Sequence, residues 1–255
     1  SLEKSRQTST TKPRRLRQCV TWGLESLSLS CNQPSPHKIA VLREEVLKNS
    51  RSTGLKKRVA QEAALLLYTG QEKEYKQAKI RATRTLGIRV LPSNLEVATE
   101  LDKLAEEREG PTRQRMLVQK RKDALQIMKT LQDFHPKLVG SVWRGTANQN
   151  SDIDITVFSA NPDEVLNRLE KSGFRIITAE WNSVTKRGRE ETSFHIHFVL
   201  ESGNEAEIVV RSPEQRGHLE RCEIYGDTVK GLSPAQLEKV LEEDPFQKFL
   251  PKEIR

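Results

Sequence analysis

The segment 138–158 constrains the fold of this chain more than any other part of the sequence. It contains Gly140-Ser141 and, after a polar stretch, Asp152-Ile-Asp154 at the start of an alternating apolar run. Such alternation predicts a β-strand, and residues two apart on a strand project from the same face. The two aspartates are therefore expected side by side. The Gly-Ser turn enters a short helix and presents free backbone N–H groups and a hydroxyl, which suit a phosphate tail.

A divalent cation is expected at the aspartate pair. Two adjacent carboxylates repel each other, and their burial is unfavourable unless a cation offsets the charge. Mg²⁺ takes one or two carboxylates together with substrate phosphate oxygens and water. A third carboxylate is expected on a neighbouring strand, where Glu207 lies inside an otherwise apolar run. Glu205 and Glu201 remain the alternatives for this third position.

Composition and apolar spacing divide the chain into four regions. Residues 1–37 are rich in Ser, Thr, Arg and Pro and are expected to form a flexible basic extension. Residues 38–110 carry short helical stripes separated by Gly and Pro, which predict three or four packed helices. Residues 111–230 hold a helix up to about residue 134, then β-rich runs with a second helix over residues 161–172, and residues 231–255 hold a C-terminal helix and tail. The sequence thus predicts an α+β protein with an α-helical N-terminal region.

Basic residues are concentrated in the N-terminal half of the chain. Residues 1–38 carry a net charge of +5, residues 39–133 carry +7 and residues 134–255 carry −4, for a total of +8. A basic half attracts polyanions, and nucleic acid is the usual partner. Mixtures of Lys, Arg and Glu are equally common on solvated helix faces, and the run Lys120-Arg121-Lys122 is predicted to be such a face.

Composition excludes several classes of protein. No run approaches the roughly 18 consecutive apolar residues of a transmembrane helix, so no membrane association is expected. The three cysteines are widely spaced and form no CxxC pair. This spacing argues against a disulfide framework and against a cysteine-based zinc site. We expect a reducing, cytoplasmic setting.

Histidine and tryptophan side chains in the C-terminal half are predicted to be structural. His195 and His197 share one face of a predicted strand but lack a nearby third ligand of the usual kind for zinc, so a structural or solvent-facing role is expected. Trp143 and Trp181 are expected to pack in the core instead of stacking on a base. A basic loop whose charge suits a triphosphate or an acceptor contains Lys186, Arg187 and Arg189.

The motif resembles that of a known superfamily. Gly140-Ser141, followed after ten residues by Asp152-Ile-Asp154, resembles the signature of the DNA polymerase beta-type nucleotidyltransferases. The form Gly-Ser-x-x-Arg-Gly-Thr before Ser-Asp-Ile-Asp is similar to that of archaeal class I CCA-adding enzymes and 2'-5' oligoadenylate synthetases. The resemblance covers about residues 137–211, and together with the preceding helices it extends to archaeal nucleotidyltransferase-domain proteins. It implies a polymerase beta-like mixed sheet as the catalytic domain, within residues 111–230.

The resemblance also implies a mechanism. An acceptor hydroxyl attacks the α-phosphorus of an NTP, and pyrophosphate leaves. Two Mg²⁺ ions, or Mn²⁺ in their place, are expected on the carboxylates, and Glu207 is expected to help activate the acceptor. A Glu as third acid departs from the commoner Asp. The residues implied as catalytic and metal-binding are Asp152, Asp154 and Glu207, and those implied as nucleotide-binding are Gly140, Ser141 and Arg144.

We therefore predict a metal-dependent nucleotidyltransferase, with RNA slightly favoured as the acceptor by the basic N-terminal half. The segment after residue 211 is too short for the large RNA-holding domains of CCA-adding enzymes. We therefore expect that the N-terminal helices make any contacts with nucleic acid. Two alternatives stay open: a nucleotidyltransferase that modifies a protein or a small molecule, and a catalytically silent module that binds RNA or nucleotide. A third alternative is a helical adaptor whose residues 39–133 bind a protein partner.

Overall fold

The computed structural model describes residues 53–186, 189–218 and 220–251, except for the side chains of residues 184–191. The predicted extension 1–37 and the start of the predicted helical region, 38–52, lie outside the described residues. So do the side chains of the predicted basic loop, Lys186, Arg187 and Arg189.

Helices occupy the first part of the described chain. They are α1 over residues 53–68, α2 (Tyr75–Leu86), α3 (Asn94–Glu109) and α4 (Pro111–Thr130). Helix α3 begins with a capping box, because Ser93 accepts a hydrogen bond from the amide of Glu96, whose carboxylate accepts one from the amide of Ser93. Helix α2 ends at Gly87, whose φ of 63° is easily adopted by glycine. A glycine follows each of the helices α2 and α3, namely Gly87 and Gly110.

Helices α1 to α3 share a small core made largely of alanine. Short side chains allow the helices to approach closely and leave little apolar surface exposed. The buried members of this core are Val59, Ala60, Ala63, Ala64, Leu66, Ala78, Ala82 and Val97.

The second half of the chain forms a mixed five-stranded sheet, as predicted. In chain order the elements are β1 (Lys137–Leu138), α5 (Gly140–Arg144), β2 (Ile153–Phe158), α6 (Pro162–Lys171), β3 (Arg175–Lys186), β4 (Arg189–Val199), β5 (Glu205–Arg211) and α7 (Pro234–Glu243). The strand order is β1-β2-β5-β4-β3. Strands β2 and β5 are parallel, and the other neighbouring pairs are antiparallel. The β3–β4 hairpin is longer than its apolar runs suggested.

The two faces of the sheet differ in polarity. Strand β2 alternates between fully buried residues, such as Ile155, and partly exposed ones, such as Asp154. The apolar face packs against α4 and α6, and α7 packs on α4. The largest apolar side chains that are fully buried in this core, from both the sheet and the helices, are Ile127, Met128, Leu131, Leu138, Ile153, Ile155, Leu169, Ile196, Phe198, Ile208 and Leu237. The opposite face carries the polar residues of the alternation. The three central strands, β2, β5 and β4, therefore present their polar side chains on one surface.

The basic run of α4 is not a solvated face, contrary to the prediction. Arg121 is fully buried, and Lys120 is only 3% exposed, whereas Lys122 is exposed. Consecutive residues of a helix point about 100° apart, so three in a row cannot share one face. Lys120 donates hydrogen bonds to the Ser151 carbonyl and to Asn204.

Arg121 joins α4 to two other parts of the chain. Its guanidinium donates to the carbonyls of Val142 and Trp143 in α5, both at 3.2 Å. It also donates to the carbonyls of Pro245 and Gln247 after α7, both at 2.8 Å. Burial lowers its pKa to about 10, and the hydrogen-bonding carbonyls replace the water that the guanidinium loses on folding.

None of the helices in the described part of the chain is both long and apolar enough to cross a membrane.

Replacing Arg121 by Met is expected to lower the free energy of unfolding by about 3 kcal/mol or more, because several buried carbonyl groups then lose their hydrogen-bond donor. Urea unfolding followed by circular dichroism measures the change. The matched control is Lys122→Met, one residue along and exposed, with an expected change within about 0.5 kcal/mol. Equal effects of the two variants would contradict the role given to Arg121.

Candidate active site

The predicted carboxylates lie near one another at the start of β2 and of β5, although the described structure does not bring one oxygen atom from each of the three within 4.8 Å of the other two. Asp152 directly precedes β2, Asp154 is its second residue, and Glu207 on β5 is the register partner of Asp154. Directly paired residues on neighbouring strands project to the same face of a sheet. Asp154 and Glu207 therefore lie side by side on the polar face, and Asp152 lies two residues before Asp154 along the chain. Of the two alternatives, Glu205 begins β5 near Asp152, and Glu201 lies in the exposed turn before it.

The site holds more negative charge than the surrounding groups offset. Burial raises the pKa of Asp154 to about 7, and the neighbouring charges of Glu207 and Asp152 add to the effect. Burial likewise raises the pKa of Asp152, with Glu205 as the strongest like charge. Lys73 and Lys120 act on Asp152 in the opposite direction without reversing the shift. A bound cation would relieve this excess of negative charge.

The turn after β1 brings the backbone of Gly140 against the carboxylate of Asp154. Gly140 has a φ of 68°, a conformation that residues with a side chain rarely adopt. A Cβ at this position would lie 2.7 Å from Cγ of Asp154 and closer still to Oδ2. Glycine is therefore required here for two reasons: the backbone conformation and the lack of space for a Cβ. The close approach places Ser141 and the start of α5 beside the carboxylates.

A cavity of about 810 Å³ opens beside these residues. Gly140, Ser141, Asp152 and Asp154 line it, and Glu205 lines it at the start of β5, whereas Glu207 is not among its lining residues. The opposite wall is built by the N-terminal helices and the loop before α7, through Lys73, Tyr75, Leu101 and Tyr225. A volume of this size is typical of sites for small-molecule ligands and cofactors.

Arg144 lies in the cavity wall, with its guanidinium engaged inside the protein. It donates to both carboxylate oxygens of Asp227, at 2.6 and 2.8 Å, and to the carbonyl of Phe249 at 2.9 Å. The guanidinium also lies over the rings of Trp143 and Tyr225, at 4.2 and 4.8 Å from their centroids. These contacts fix the end of α5, which carries the Gly-Ser turn at its other end.

The two tryptophans differ in burial. Trp143 is 5% exposed and belongs to the main core, as predicted. Trp181 is 63% exposed, so the prediction of core packing is wrong for this residue. Its ring meets the edge of Phe194, with centroids 5.3 Å apart, at the rim of the apolar face. The long hairpin places Trp181 beyond the helices that cover the rest of that face.

The structure places Glu207 beside the two histidines, for which the sequence indicated no nearby third candidate ligand. Glu207 Oε1 lies 2.5 Å from Nδ1 of His195 and 3.6 Å from Nε2 of His197. Strand β4 pairs with β5 so that His197 is opposite Glu207. The sequence does not reveal this proximity, because it depends on the register in which β4 pairs with β5. Lys73, Tyr75 and Tyr225 were likewise missed, because no motif links them to the segment 138–158.

Replacing Gly140 by Ala is expected to destabilise the protein more than Gly87→Ala, by about 1 kcal/mol or more. Gly87 has a similar φ of 63°, but a Cβ there meets nothing within 4 Å. The Gly87→Ala variant therefore measures the cost of the backbone conformation alone, without a collision. Thermal unfolding measures both variants. Adding Asp154→Ala to Gly140→Ala removes the colliding carboxylate and is expected to recover much of the difference. No recovery would show that the collision with Asp154 is not the cause.

In EDTA, Asp154→Asn is expected to be more stable than the parent protein at pH 8, and the difference is expected to vanish near pH 4. The folded pKa of Asp154, about 7, lies above its ordinary value of 3.8. The protonated carboxyl therefore stabilises the fold below pH 4, and this contribution is lost as the pH rises through 7. The difference amounts to at most about 4 kcal/mol. Urea midpoints across this pH range test it, and equal midpoints at pH 8 would contradict it.

Residues 121–230 match the family model described as nucleotidyltransferase domain. The match includes all five strands, the Gly-Ser turn and the three carboxylates, and it supports the polymerase beta-like superfamily. No curated protein matches the chain significantly. The finer resemblance to archaeal and CCA-adding enzymes stays a prediction. Residues 121–230 thus form a nucleotidyltransferase domain within this mixed α+β fold, and such a domain supports transfer of a nucleoside monophosphate.

Proposed function

We propose that this chain transfers a nucleoside monophosphate from an NTP to an acceptor hydroxyl, with divalent metal ions held by Asp152, Asp154 and Glu207. The observation that carries the proposal is the position of Asp152 and Asp154 beside the Gly140 turn, in the lining of a cavity large enough for a nucleotide, with Glu207 paired to Asp154 on the neighbouring strand. We also propose that the catalytic domain spans residues 111–230, between the helical region 38–110 and the C-terminal segment 231–255.

The residues present fit Mg²⁺ or Mn²⁺ well. Carboxylate oxygens are the hard ligands that these ions prefer. Burial raises the pKa of Asp154, and the like charges of Glu207 and Asp152 raise it further, so a bound cation would stabilise the ionised carboxylate. Glu207 is the strongest like charge on Asp154, and Glu205 is the strongest on Asp152. We assign Glu207 as the third acid because it pairs directly with Asp154 on the polar face. When bound, the ions neutralise charge on the attacking and leaving oxygens.

The protein's own residues bind and orient the reactants. Gly140 and Ser141 line the cavity beside Asp154, where exposed backbone and a hydroxyl suit the β- and γ-phosphates. The acceptor oxygen bonds to the α-phosphorus, the bond to the bridging oxygen breaks, and pyrophosphate leaves. Glu207 accepts the proton of the acceptor hydroxyl. Arg144 acts by holding the end of α5 through Asp227.

We propose RNA as the acceptor, and the charge of α2 supports this choice. The helix contains four basic residues and no acidic residue, namely Lys76, Lys79, Arg81 and Arg84. Its first residue, Tyr75, lines the cavity, and so does Lys73 just before it. A basic helix that leads away from the cavity suits the phosphate backbone of a bound strand.

Transfer is tested with each α-³²P-labelled NTP and Mg²⁺, by following label into total RNA, total protein and small molecules. Label is expected in RNA, and Asp152→Asn/Asp154→Asn is expected to reduce it at least about a hundredfold, since ligand loss removes several kcal/mol of charge stabilisation. The matched control is Asp163→Asn on the exposed first turn of α6, which is expected to retain activity. Glu207→Gln and Glu205→Gln, compared separately, identify the third acid.

The other outcomes separate the remaining functions. Label in protein or in a small molecule would replace RNA as the acceptor and leave the transfer reaction in place. Absence of label in every fraction, from folded protein that still binds NTP, would favour the silent binding module. Activity that survives the double aspartate substitution would contradict the site itself.

A further inference from the structure

His195, His197 and Glu207 form a compact cluster on the polar face of the sheet. One donor atom from each lies within 4.8 Å of the other two, and the described residues contain no other such group of three or more His, Cys, Asp or Glu. Both imidazoles converge on the same carboxylate oxygen, at 2.5 and 3.6 Å. The side chains are 17%, 38% and 24% exposed in the order named, so an ion can reach them.

A fourth residue orients the first histidine as metal sites require. The Oγ of Ser193 lies 2.8 Å from Nε2 of His195, while Nδ1 of the same ring faces Glu207. Metal-ligating histidines almost always hydrogen-bond through the ring nitrogen that does not bind the metal, and this bond fixes the tautomer. If Nε2–H donates to Ser193, then Nδ1 can present its lone pair to an ion.

The two imidazoles and the carboxylate favour a different class of metal ion from the class that the two aspartates favour. Two imidazoles and one carboxylate form the three-ligand set of many zinc sites, in which a fourth position stays open. Imidazole nitrogen favours Zn²⁺ and related transition metals, whereas Mg²⁺ prefers oxygen ligands.

We infer that His195, His197 and Glu207 bind a transition-metal ion of the Zn²⁺ class, at a site beside the Asp152–Asp154 pair and distinct from it. Glu207 lies between the two sites, since it pairs with Asp154 on one side and with His197 on the other. An ion bound by the histidines would therefore engage the same carboxylate that the transfer reaction uses. The inference itself is independent of nucleotidyl transfer, because ion binding is measured without nucleotide.

The test is Zn²⁺ titration of the tag-free, metal-stripped full chain by isothermal calorimetry, with millimolar Mg²⁺ present to occupy sites made only of oxygen. We expect one equivalent to bind with a Kd of about 1 µM or lower. His195→Ala/His197→Ala is expected to weaken binding at least about a hundredfold, and Ser193→Ala about tenfold. The matched control, His135→Asn/His218→Asn, removes two histidines outside the cluster and is expected to bind like the parent.

Two further variants keep the result interpretable. Glu207→Gln preserves side-chain shape and is expected to weaken Zn²⁺ binding, with circular dichroism confirming its fold. Asp152→Asn/Asp154→Asn is expected to retain the zinc equivalent even though transfer is lost, which separates this inference from the proposed function. Absence of Zn²⁺ binding by the parent, or equal binding by the cluster variant and the histidine control, would overturn the inference and leave His195 as a hydrogen-bond partner of Glu207.

Discussion

The buried guanidinium of Arg121 is the interaction on which the architecture of the site depends. It lies in the middle of α4 and satisfies four carbonyl groups, two at the end of α5 and two in the segment after α7. Only a planar side chain with several fixed donors can meet so many acceptors from one position. Gly145 adds a spatial requirement, because a Cβ there would lie 2.7 Å from the Gln247 carbonyl that Arg121 engages. Through these bonds, α4 fixes the helix that begins at the Gly-Ser turn.

The carboxylate site combines electrostatic repulsion with tight packing. Asp154 lies against the backbone of Gly140 and opposite Glu207 in the β2–β5 register. The fold therefore keeps this carboxyl buried near two like charges, and burial, together with the charges of Glu207 and Asp152, raises its pKa to about 7. Such arrangements concentrate at functional sites, because a charged ligand offsets the repulsion only when it binds.

The N-terminal helices complete the cavity and are tied to the rest of the described fold by charged contacts. Asp102 on α3 accepts hydrogen bonds from Arg113 on α4 and from Lys248 after α7, and these contacts hold its pKa below the ordinary value despite partial burial. Asn150 in the loop before β2 donates to the carbonyl of Tyr68 at the end of α1. The wall opposite the carboxylates is thus anchored at both the sheet and the C-terminal segment.

The sequence by itself determined the α+β class and the aspartate pair, because these follow from local periodicity and from a motif within one segment. It also indicated Glu207, since an acid inside an apolar run is conspicuous without any knowledge of its neighbours. Only the tertiary structure decided what Glu207 contacts: the register of β4 on β5 brings the histidines to it, and register depends on pairing between distant segments. The same holds for Arg121 and Lys120, whose composition resembles a solvated face and whose burial depends on acceptors supplied from elsewhere in the chain.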